Sequence, residues 1–380
     1  MNSSMNDLRK GMKVFLLLLF SIPAFSQQPA SPLEASFQTY RKMKAETPYK
    51  LDWIALGPTA NSARADVVQV DAQNPSTMYV GFGSGGLWKT TNHGLTWRSI
   101  FEEQSSIGIG DVELAPSNPN IIYLGTGENL KKPRNFTLPG TGMFRSDDAG
   151  ATWKSIGLAD SWSIAEVEIH PTNPDIAFAC VLGHLWSKNT NRGLYRTTNG
   201  GKTWEQVLHI DENTGANEIV ISPTNPQIMY ASLWEMNPGI SGQNSGIYRS
   251  VDGGATWIKS TQGLPSGPKV GRIGLTVSAT NPNKAYALVD NLNYPEGQSA
   301  ELYKTVDGGL SWTKTHTGPF QLFTTIGWYF TDVYVNPKND EEVFCLGIRL
   351  AHSQDGGKTF QFIGGQVSRM NPSLAQGLDL

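Results

Sequence analysis

Residues 90–97 read Thr-Thr-Asn-His-Gly-Leu-Thr-Trp, and the same eight-residue pattern returns five more times along the chain. The other copies are 146–153 (SDDAGATW), 197–204 (TTNGGKTW), 250–257 (SVDGGATW), 305–312 (TVDGGLSW) and 353–360 (SQDGGKTF). The acid or amide at the third position recurs at intervals of 56, 51, 53, 55 and 48 residues. One such octapeptide would be weak evidence, but six at nearly constant spacing indicate a repeat protein.

Short strand-like segments surround every octapeptide at the same distances. An alternating strand such as VVQVD or EVEIHP precedes an Asn-Pro turn, as at Asn74-Pro75 and Asn173-Pro174, and a short apolar run follows the turn. A third strand, such as GLWKT, leads into the octapeptide, and a fourth leaves it. Four short antiparallel strands in about 50 residues are typical of one propeller blade. The sequence therefore predicts an all-β propeller with six visible blades.

The octapeptide has a structural explanation. The third-position side chain can accept hydrogen bonds from nearby backbone N–H groups, and the glycine supplies the positive φ of a tight hairpin. The final tryptophan is a large plate that can pack between blades. We therefore expect turn-forming rather than catalytic roles for Asn92, Asp148, Asn199, Asp252, Asp307 and Asp355, and packing roles for Trp97, Trp153, Trp204, Trp257 and Trp312.

The two ends of the chain bear on whether the ring is complete. Residues 51–57 (LDWIALG) resemble the fourth strand of a blade, but only residues 364–380 follow the sixth repeat. Those residues are about half the number that three further strands and their turns require at ~5–6 residues per strand. We expect residues 51–380 to be a propeller that is incomplete at its C-terminus, either the N-terminal fragment of a larger one or the product of a split or truncated reading frame. Residues 27–50 form an N-terminal arm, with a short helix over 33–46.

The N-terminus has the pattern of an export signal. Basic residues Arg9, Lys10 and Lys13 precede an apolar run over 14–22, and Ala24-Phe25-Ser26 offers a cleavage site. The run is too short to span ~30 Å of hydrocarbon as a permanent helix. We expect residues 1–26 to be removed, from a start at Met1 or Met12, leaving a secreted, periplasmic or cell-surface protein with no stable membrane span.

Composition excludes several classes of function. The chain has 30 basic and 33 acidic residues and a net charge of −3, so nucleic acid is not an expected partner. Residues 81–86 (GFGSGG) imitate a dinucleotide fingerprint but lead into a strand, so no cofactor is expected. No metal-ligand spacing occurs. The two cysteines, Cys180 and Cys345, occupy equivalent positions three blades apart, and we expect buried free thiols.

This combination of motifs resembles the bacterial sortilin-like (VPS10-type) branch of the WD40/YVTN/BNR-like propellers, in which the octapeptide is called the Asp-box. The matching residues span about 51–363 and include the stretches at 78–97, 106–129 and 192–226. The resemblance implies a large, exported propeller, often with ten blades. Sortilins are peptide- and protein-binding receptors, whereas many bacterial relatives carry a glycosyl hydrolase label from their repeats alone.

Two function classes follow. A glycoside hydrolase needs two carboxylates ~5–9.5 Å apart across a sugar site. The Arg-Ile-Pro motif of sialidases is absent, and residues 82–86 lack the acid that Asp-box xyloglucanases place shortly before the Gly-Gly of the first blade. These departures favour the other class, a binding module for a protein, peptide or glycan.

A ligand is expected on the rim opposite the octapeptide turns, where the loops carry aromatic and charged side chains. The alternative is that Trp186 and Trp234 pack between blades, that the charges are ordinary rim residues, and that basic residues 131–134 are merely solvated. His184, without metal-ligand partners, is a weaker candidate. The candidate ligand-binding residues are Arg64, Glu128, Asn129, Arg134, Trp186, Trp234, Glu235 and Asp290.

Overall fold

A computed structural model describes residues 31–49, 64–128, 137–236, 239–295, 298–318, 320–323 and 326–363. Within them, 24 strands form six sheets of four, and each sheet runs antiparallel in chain order. The predicted propeller of four-stranded antiparallel blades is confirmed. The segments at 1–26, 51–57 and 364–380, on which the export signal and the incomplete ring were predicted, lie outside the described residues.

The strands are numbered in chain order, four to a blade. Their bounds are β1 (Ala65–Val70), β2 (Met78–Phe82), β3 (Gly86–Thr90), β4 (Arg98–Ser99), β5 (Ile109–Leu114), β6 (Ile122–Thr126), β7 (Met143–Ser146), β8 (Lys154–Gly157), β9 (Ile164–Ile169), β10 (Ala177–Val181), β11 (Gly193–Thr197), β12 (Glu205–Leu208), β13 (Thr214–Ile221), β14 (Met229–Glu235), β15 (Gly246–Ser250), β16 (Ile258–Ser260), β17 (Val270–Val277), β18 (Ala285–Asn291), β19 (Ala300–Thr305), β20 (Thr313–Lys314), β21 (Asp332–Asn336), β22 (Asn339–Leu346), β23 (Leu350–Ser353) and β24 (Gln361–Ile363).

The octapeptides close the hairpins between the third and fourth strands. In blade two the Ser146 hydroxyl donates to Asp148 (2.8 Å) and accepts from the Gly150 N–H (2.8 Å). The Asp148 carboxylate accepts from the Thr152 N–H (2.8 Å) and hydroxyl (2.6 Å). Gly150 has a φ of +84°, a conformation that glycine adopts without strain. In the other five copies, the first-residue hydroxyl and the third-residue oxygen make the same bonds to each other and to the backbone N–H groups. In the two asparagine copies, the side-chain amide of Asn92 or Asn199 donates to the seventh-residue hydroxyl instead of accepting from it.

The core lies between the blades, where the faces of neighbouring sheets pack. Each innermost strand lies against the innermost strand of the next blade, from β1 and β5 to β17 and β21. Aromatic side chains cross these interfaces: the Trp204 indole N–H donates to the Ile156 carbonyl of the preceding blade (2.8 Å), and the Tyr123 hydroxyl donates to the Pro174 carbonyl of the following one (2.9 Å). Such contacts combine apolar burial with a satisfied polar atom.

Both cysteines are buried thiols outside any disulfide bond, as the sequence predicted. Cys180 lies on β10 in the third blade and Cys345 lies on β22 in the sixth. Both belong to apolar clusters between blades, and burial raises the pKa of the Cys345 thiol well above its usual range. A thiol in such surroundings is inert and serves packing.

The N-terminal arm contains a helix, α1 (Pro32–Glu46), with Ser31 as its N-cap. The Ser31 hydroxyl accepts from the Glu34 N–H (3.2 Å), and proline at the first helical position is favourable because its missing N–H would be unpaired there. No residue of α1 is buried, and Lys44 near its end forms an ion pair with Glu103 of the propeller (3.3 Å). In the described part of the chain, no helix is both long and apolar enough to cross a membrane.

The first blade is covered less than its neighbours. Val68 on β1 is 58% exposed, whereas Val112, its counterpart on β5, is fully buried against blade one. Trp97 of the first octapeptide is likewise exposed, whereas Trp312 of the fifth is buried. Val68 and Trp97 therefore lie on a face of blade one that the described residues leave open to solvent.

Candidate functional site

Those predicted ligand-binding residues that the structure describes lie at one end of the blades, opposite the octapeptide turns. We call this end the upper face. It is formed by the connections between blades and by those between the second and third strands of each blade, because antiparallel strands return to the same end at every second turn. Arg64 precedes β1, Glu128 follows β6, and Trp186 follows β10. Asn129 and Arg134 lie outside the described residues, as does the basic segment 131–134.

The structure brings Arg64 and Glu128 together as an ion pair between blades one and two. The Glu128 side chain is almost completely buried, and its carboxylate also accepts from the Leu138 N–H (3.4 Å). The Arg64 guanidinium lies 5.6 Å from the centre of the Tyr329 ring, close enough for a cation–π contact. The Glu128 carboxylate thus already has partners within the chain. The contact between Arg64 and Tyr329 links blade one to the connection that precedes blade six.

Of three other predicted residues, Trp234 and Asp290 are buried and Glu235 is half-buried. Trp234 is fully buried, and its indole N–H donates to the Ile240 carbonyl (3.0 Å). The Glu235 carboxylate accepts from the Asn244 N–H (2.8 Å). Asp290 is 1% exposed, and burial raises the pKa of its carboxyl to about 6. The Trp234 indole and the Glu235 carboxylate are therefore held by the loop between β14 and β15.

Trp186 differs from these residues because its indole is 68% exposed. Two residues before it, the His184 Nε2 lies 2.9 Å from Asp160 Oδ1, and the Asn191 amide donates to Asp160 Oδ2 (2.8 Å). The rings of His184 and Trp162 are 5.0 Å apart. We call Asp160, Trp162, His184, Trp186 and Asn191 the blade-three cluster. It joins the connection before β9 to the connection between β10 and β11.

A buried arginine holds the second of these connections in place. The Arg192 guanidinium is completely buried and donates to the carbonyls of Glu212 (2.8 Å), Ser187 (3.1 Å), Leu182 and His184. Because burial removes the guanidinium from water, the pKa of Arg192 falls to about 10. The loop that carries Trp186 is therefore tied to a fixed point at several of its carbonyl groups.

Carboxylates line the central channel, beneath the upper face, on the innermost strands of blades two to four. Asp111 accepts from the Val167 N–H of the next blade (2.7 Å), and Glu218 accepts from the Leu275 N–H (2.7 Å). Glu168 makes the same kind of bond to the Ile221 N–H (3.2 Å). An innermost strand has a free edge whose N–H groups need acceptors. These acids supply them.

The channel carboxyls resist ionisation. Burial, and then repulsion from Asp111 and other acids, raises the pKa of Glu166 well above its usual range, and burial raises those of Asp111, Glu113 and Glu168. Arg272 offsets part of this charge, lying 3.0 Å from Asp332 and 3.5 Å from Glu218. Across the described ranges, no three His, Cys, Asp or Glu side chains form a group that could hold a metal ion.

Sequence reasoning missed both the channel acids and most of the blade-three cluster. The acids were visible as alternate residues of DVELAP and EVEIHP, and that alternation on an innermost strand was the available signal. Asp160, Asn191 and Arg192 carried no local signal, because Asp160 is separated from the other two by about thirty residues in the chain.

Comparison with family models matches the chain to Sortilin-Vps10, described as sortilin, neurotensin receptor 3, over residues 85–209 and 192–363. A 64-residue stretch is 39% identical to a vacuolar protein sorting/targeting protein 10 from Sordaria macrospora, covering 17% of this chain and 4% of that protein.

Other similar proteins are named as xyloglucanases. A probable oligoxyloglucan-reducing end-specific xyloglucanase from Neosartorya fischeri is 29% identical over 51% of this chain and 24% of its own length. Xyloglucanase Xgh74A from Acetivibrio thermocellus is 26% identical over 58% of this chain and 28% of its own length. The chain thus spans about a quarter of the length of these relatives.

Among solved structures, the Niastella koreensis GH74 enzyme superposes with a TM-score of 0.57 at 17% identity, over 78% of this chain and 46% of that one. YCF48 bound to D1 peptide superposes with a TM-score of 0.50 at 16% identity, over 82% of this chain and 86% of that one. At these identities the likeness shows the propeller fold alone.

Proposed function

The chain belongs to the Sortilin-Vps10 family, and on that premise we propose that it is an exported binding module whose upper face holds a protein, peptide or glycan ligand. The observation that carries the proposal is the exposed indole of Trp186 on a loop that the buried Arg192 ties down. A large apolar side chain that is both exposed and held in place can bind a ligand with little loss of conformational entropy.

Export is part of this proposal. The basic start, the short apolar run over 14–22 and the small residues at 24 and 26 support a cleaved signal within residues 1–26. The ligand would then be met outside the cytoplasm, at the cell surface, in the periplasm or in the medium. Nearly balanced charge argues against nucleic acid as that ligand.

The second candidate is a glycoside hydrolase acting on extracellular polysaccharide, which the similarity to named xyloglucanases supports. The arrangement of carboxylates favours binding instead. Glu128 is paired with Arg64, Asp290 is buried, and Glu235 accepts a backbone hydrogen bond. A hydrolase needs one protonated and one ionised carboxyl on opposite sides of a sugar. Each of the three carboxyls just named is buried or bonded within the chain, so none of them faces an open sugar site.

The test combines binding and turnover on the exported chain. We expect it to bind a subset of a glycan array or a peptide array and to release no reducing ends from soluble xyloglucan. Release that is lost in Glu128→Gln or Glu235→Gln, with the fold preserved by circular dichroism, would establish the hydrolase. Absence of binding on both arrays would contradict the binding module.

A further inference from the structure

We propose that the blade-three cluster is a subsite for a neutral glycan, in which a sugar ring lies on the Trp186 indole and its hydroxyl groups bond to Asp160 and Asn191. The proposal rests on the proposed binding function and names the ligand class of the same upper face. It draws on three features of the cluster: an open aromatic surface, a planar polar group with unused acceptor capacity, and a backbone that holds both in place.

The aromatic surface belongs to the loop whose His184 bonds to the polar partner, Asp160. Trp186 follows His184 by two residues, so their Cα atoms lie within ~7 Å of each other. Indole offers a broad apolar face to the C–H groups of a sugar and keeps an N–H for a hydroxyl. The carbonyls of His184 and Ser187, on either side of Trp186, both accept from Arg192, so the ring is carried by fixed backbone.

The polar partner has acceptor capacity left. The Asp160 carboxylate accepts one bond from His184 on Oδ1 and one from Asn191 on Oδ2, and about four lone-pair positions exist on an ionised carboxylate. Its side chain is 55% exposed, so these positions are open to a ligand. Two adjacent hydroxyl groups of a sugar match a carboxylate that presents one free acceptor on each oxygen.

Trp162 provides independent support for a site. Its backbone has a φ of +60°, which is rare for a bulky residue, and its indole N–H is buried without a hydrogen-bond partner. Strain of this kind persists where the surroundings require one orientation, and it concentrates at functional sites. The Trp162 ring lies against the His184 imidazole, and so fixes the orientation of the group that donates to Asp160.

A neutral sugar suits the cluster better than a cationic peptide side chain. His184 and Asn191 already direct N–H groups at Asp160, so an arriving ammonium or guanidinium group would meet those donors around the carboxylate. A hydroxyl group can donate to Asp160 and accept from a neighbouring N–H. Sugar binding is also expected to be insensitive to salt, whereas a cation bound to an exposed carboxylate is screened.

The experiment uses the full exported chain with soluble xyloglucan and mixed-linkage β-glucan as probes, followed by affinity electrophoresis and titration calorimetry. We expect the chain to bind at least one of these polysaccharides. The affinity should fall about tenfold or more in Trp186→Ala and return to within about threefold of the original value in Trp186→Phe. In Asp160→Asn it should fall at least about fivefold. Trp97→Ala, which removes an exposed tryptophan from the octapeptide turn of blade one, at the opposite end of the blades, is the matched control and should bind normally.

The outcomes separate this proposal from the binding function. Polysaccharide binding that survives both Trp186→Ala and Asp160→Asn places the ligand elsewhere and overturns the subsite. The chain could instead bind only to a peptide array, with affinity that falls on the order of fivefold or more both in Asp160→Asn and at 0.5 M salt. That result overturns the glycan subsite and keeps the binding module. No binding to any of these probes overturns both.

Discussion

Carboxylates occur at two kinds of position in the blades, the octapeptide turns and the innermost strands, and they behave in opposite ways. In the octapeptide turns, the hydroxyl of the seventh residue and the adjacent backbone N–H groups bond to the acid and lower its pKa to about 2 in Asp148, Asp252, Asp307 and Asp355. In the channel, burial raises the pKa of Asp111, Glu113, Glu166 and Glu168. The difference shows that the pKa of an acid in a repeat is set by its surroundings, by hydrogen-bond donors in the turns and by burial in the channel.

Among the channel residues, Arg272 should contribute most to the stability of the fold, because it contacts both Glu218 and Asp332 and donates to the Tyr329 carbonyl. Arg272→Met leaves two carboxylates without their cation in a region that already disfavours charge. We expect a loss of about 3–5 kcal/mol of unfolding free energy, measured by urea denaturation. Glu218→Gln in the same background should recover part of it, and two additive losses would contradict the coupling.

The pH dependence of stability should show both populations. Channel carboxyls have folded pKa values above their unfolded values, so their contribution is fully present below about pH 4 and is lost as pH rises towards 8. Turn carboxyls have folded pKa values below their unfolded values, so their contribution is present above about pH 4 and is lost as pH falls towards 2. Stability should therefore be greatest near pH 4, where the two windows meet, and fall by about 2 kcal/mol on going to pH 8.

Calorimetric melting temperatures at pH 3, 5 and 8 measure this. Glu166→Gln keeps the shape of the side chain and removes the charge that its neighbours repel, so it should reduce the loss between pH 5 and 8. A melting temperature that rises steadily from pH 5 to pH 8 would mean that the channel carboxyls are ionised without penalty.

A single turn should have the smallest effect. Asp252→Ala removes the acceptor for the Thr256 N–H and hydroxyl and should lower the unfolding free energy by about 1 kcal/mol. Asp252→Asn should retain most of the stability that Asp252→Ala loses, because Asn92 and Asn199 accept the equivalent N–H in their own turns. If Asn is as harmful as Ala in chemical denaturation, the charge rather than the acceptor matters.

The sequence predicted the parts of the molecule that local chemistry decides. Each octapeptide bonds within eight residues, so its spacing was enough to predict six blades and the placement of Cys180 and Cys345. The upper face depends on contacts between distant segments. Nothing near Glu128 in the sequence shows that it pairs with Arg64, and nothing near Asp160 shows that it meets His184 and Asn191.

The channel acids fall between these cases. Their alternation was visible in the sequence, but the meaning of that alternation depends on knowing that the innermost strand has a free edge. Once that edge is known, the bonds from Asp111 to Val167 and from Glu218 to Leu275 follow from the need to satisfy exposed N–H groups.

Hydrogen exchange of the chain with and without its bound array ligand tests most directly the claim that the two ends of the blades divide structure from function. The account predicts added protection in residues 182–192, around Trp186, and unchanged exchange in the six octapeptide turns. Protection confined to those turns, with the 182–192 loop unaffected, would contradict it.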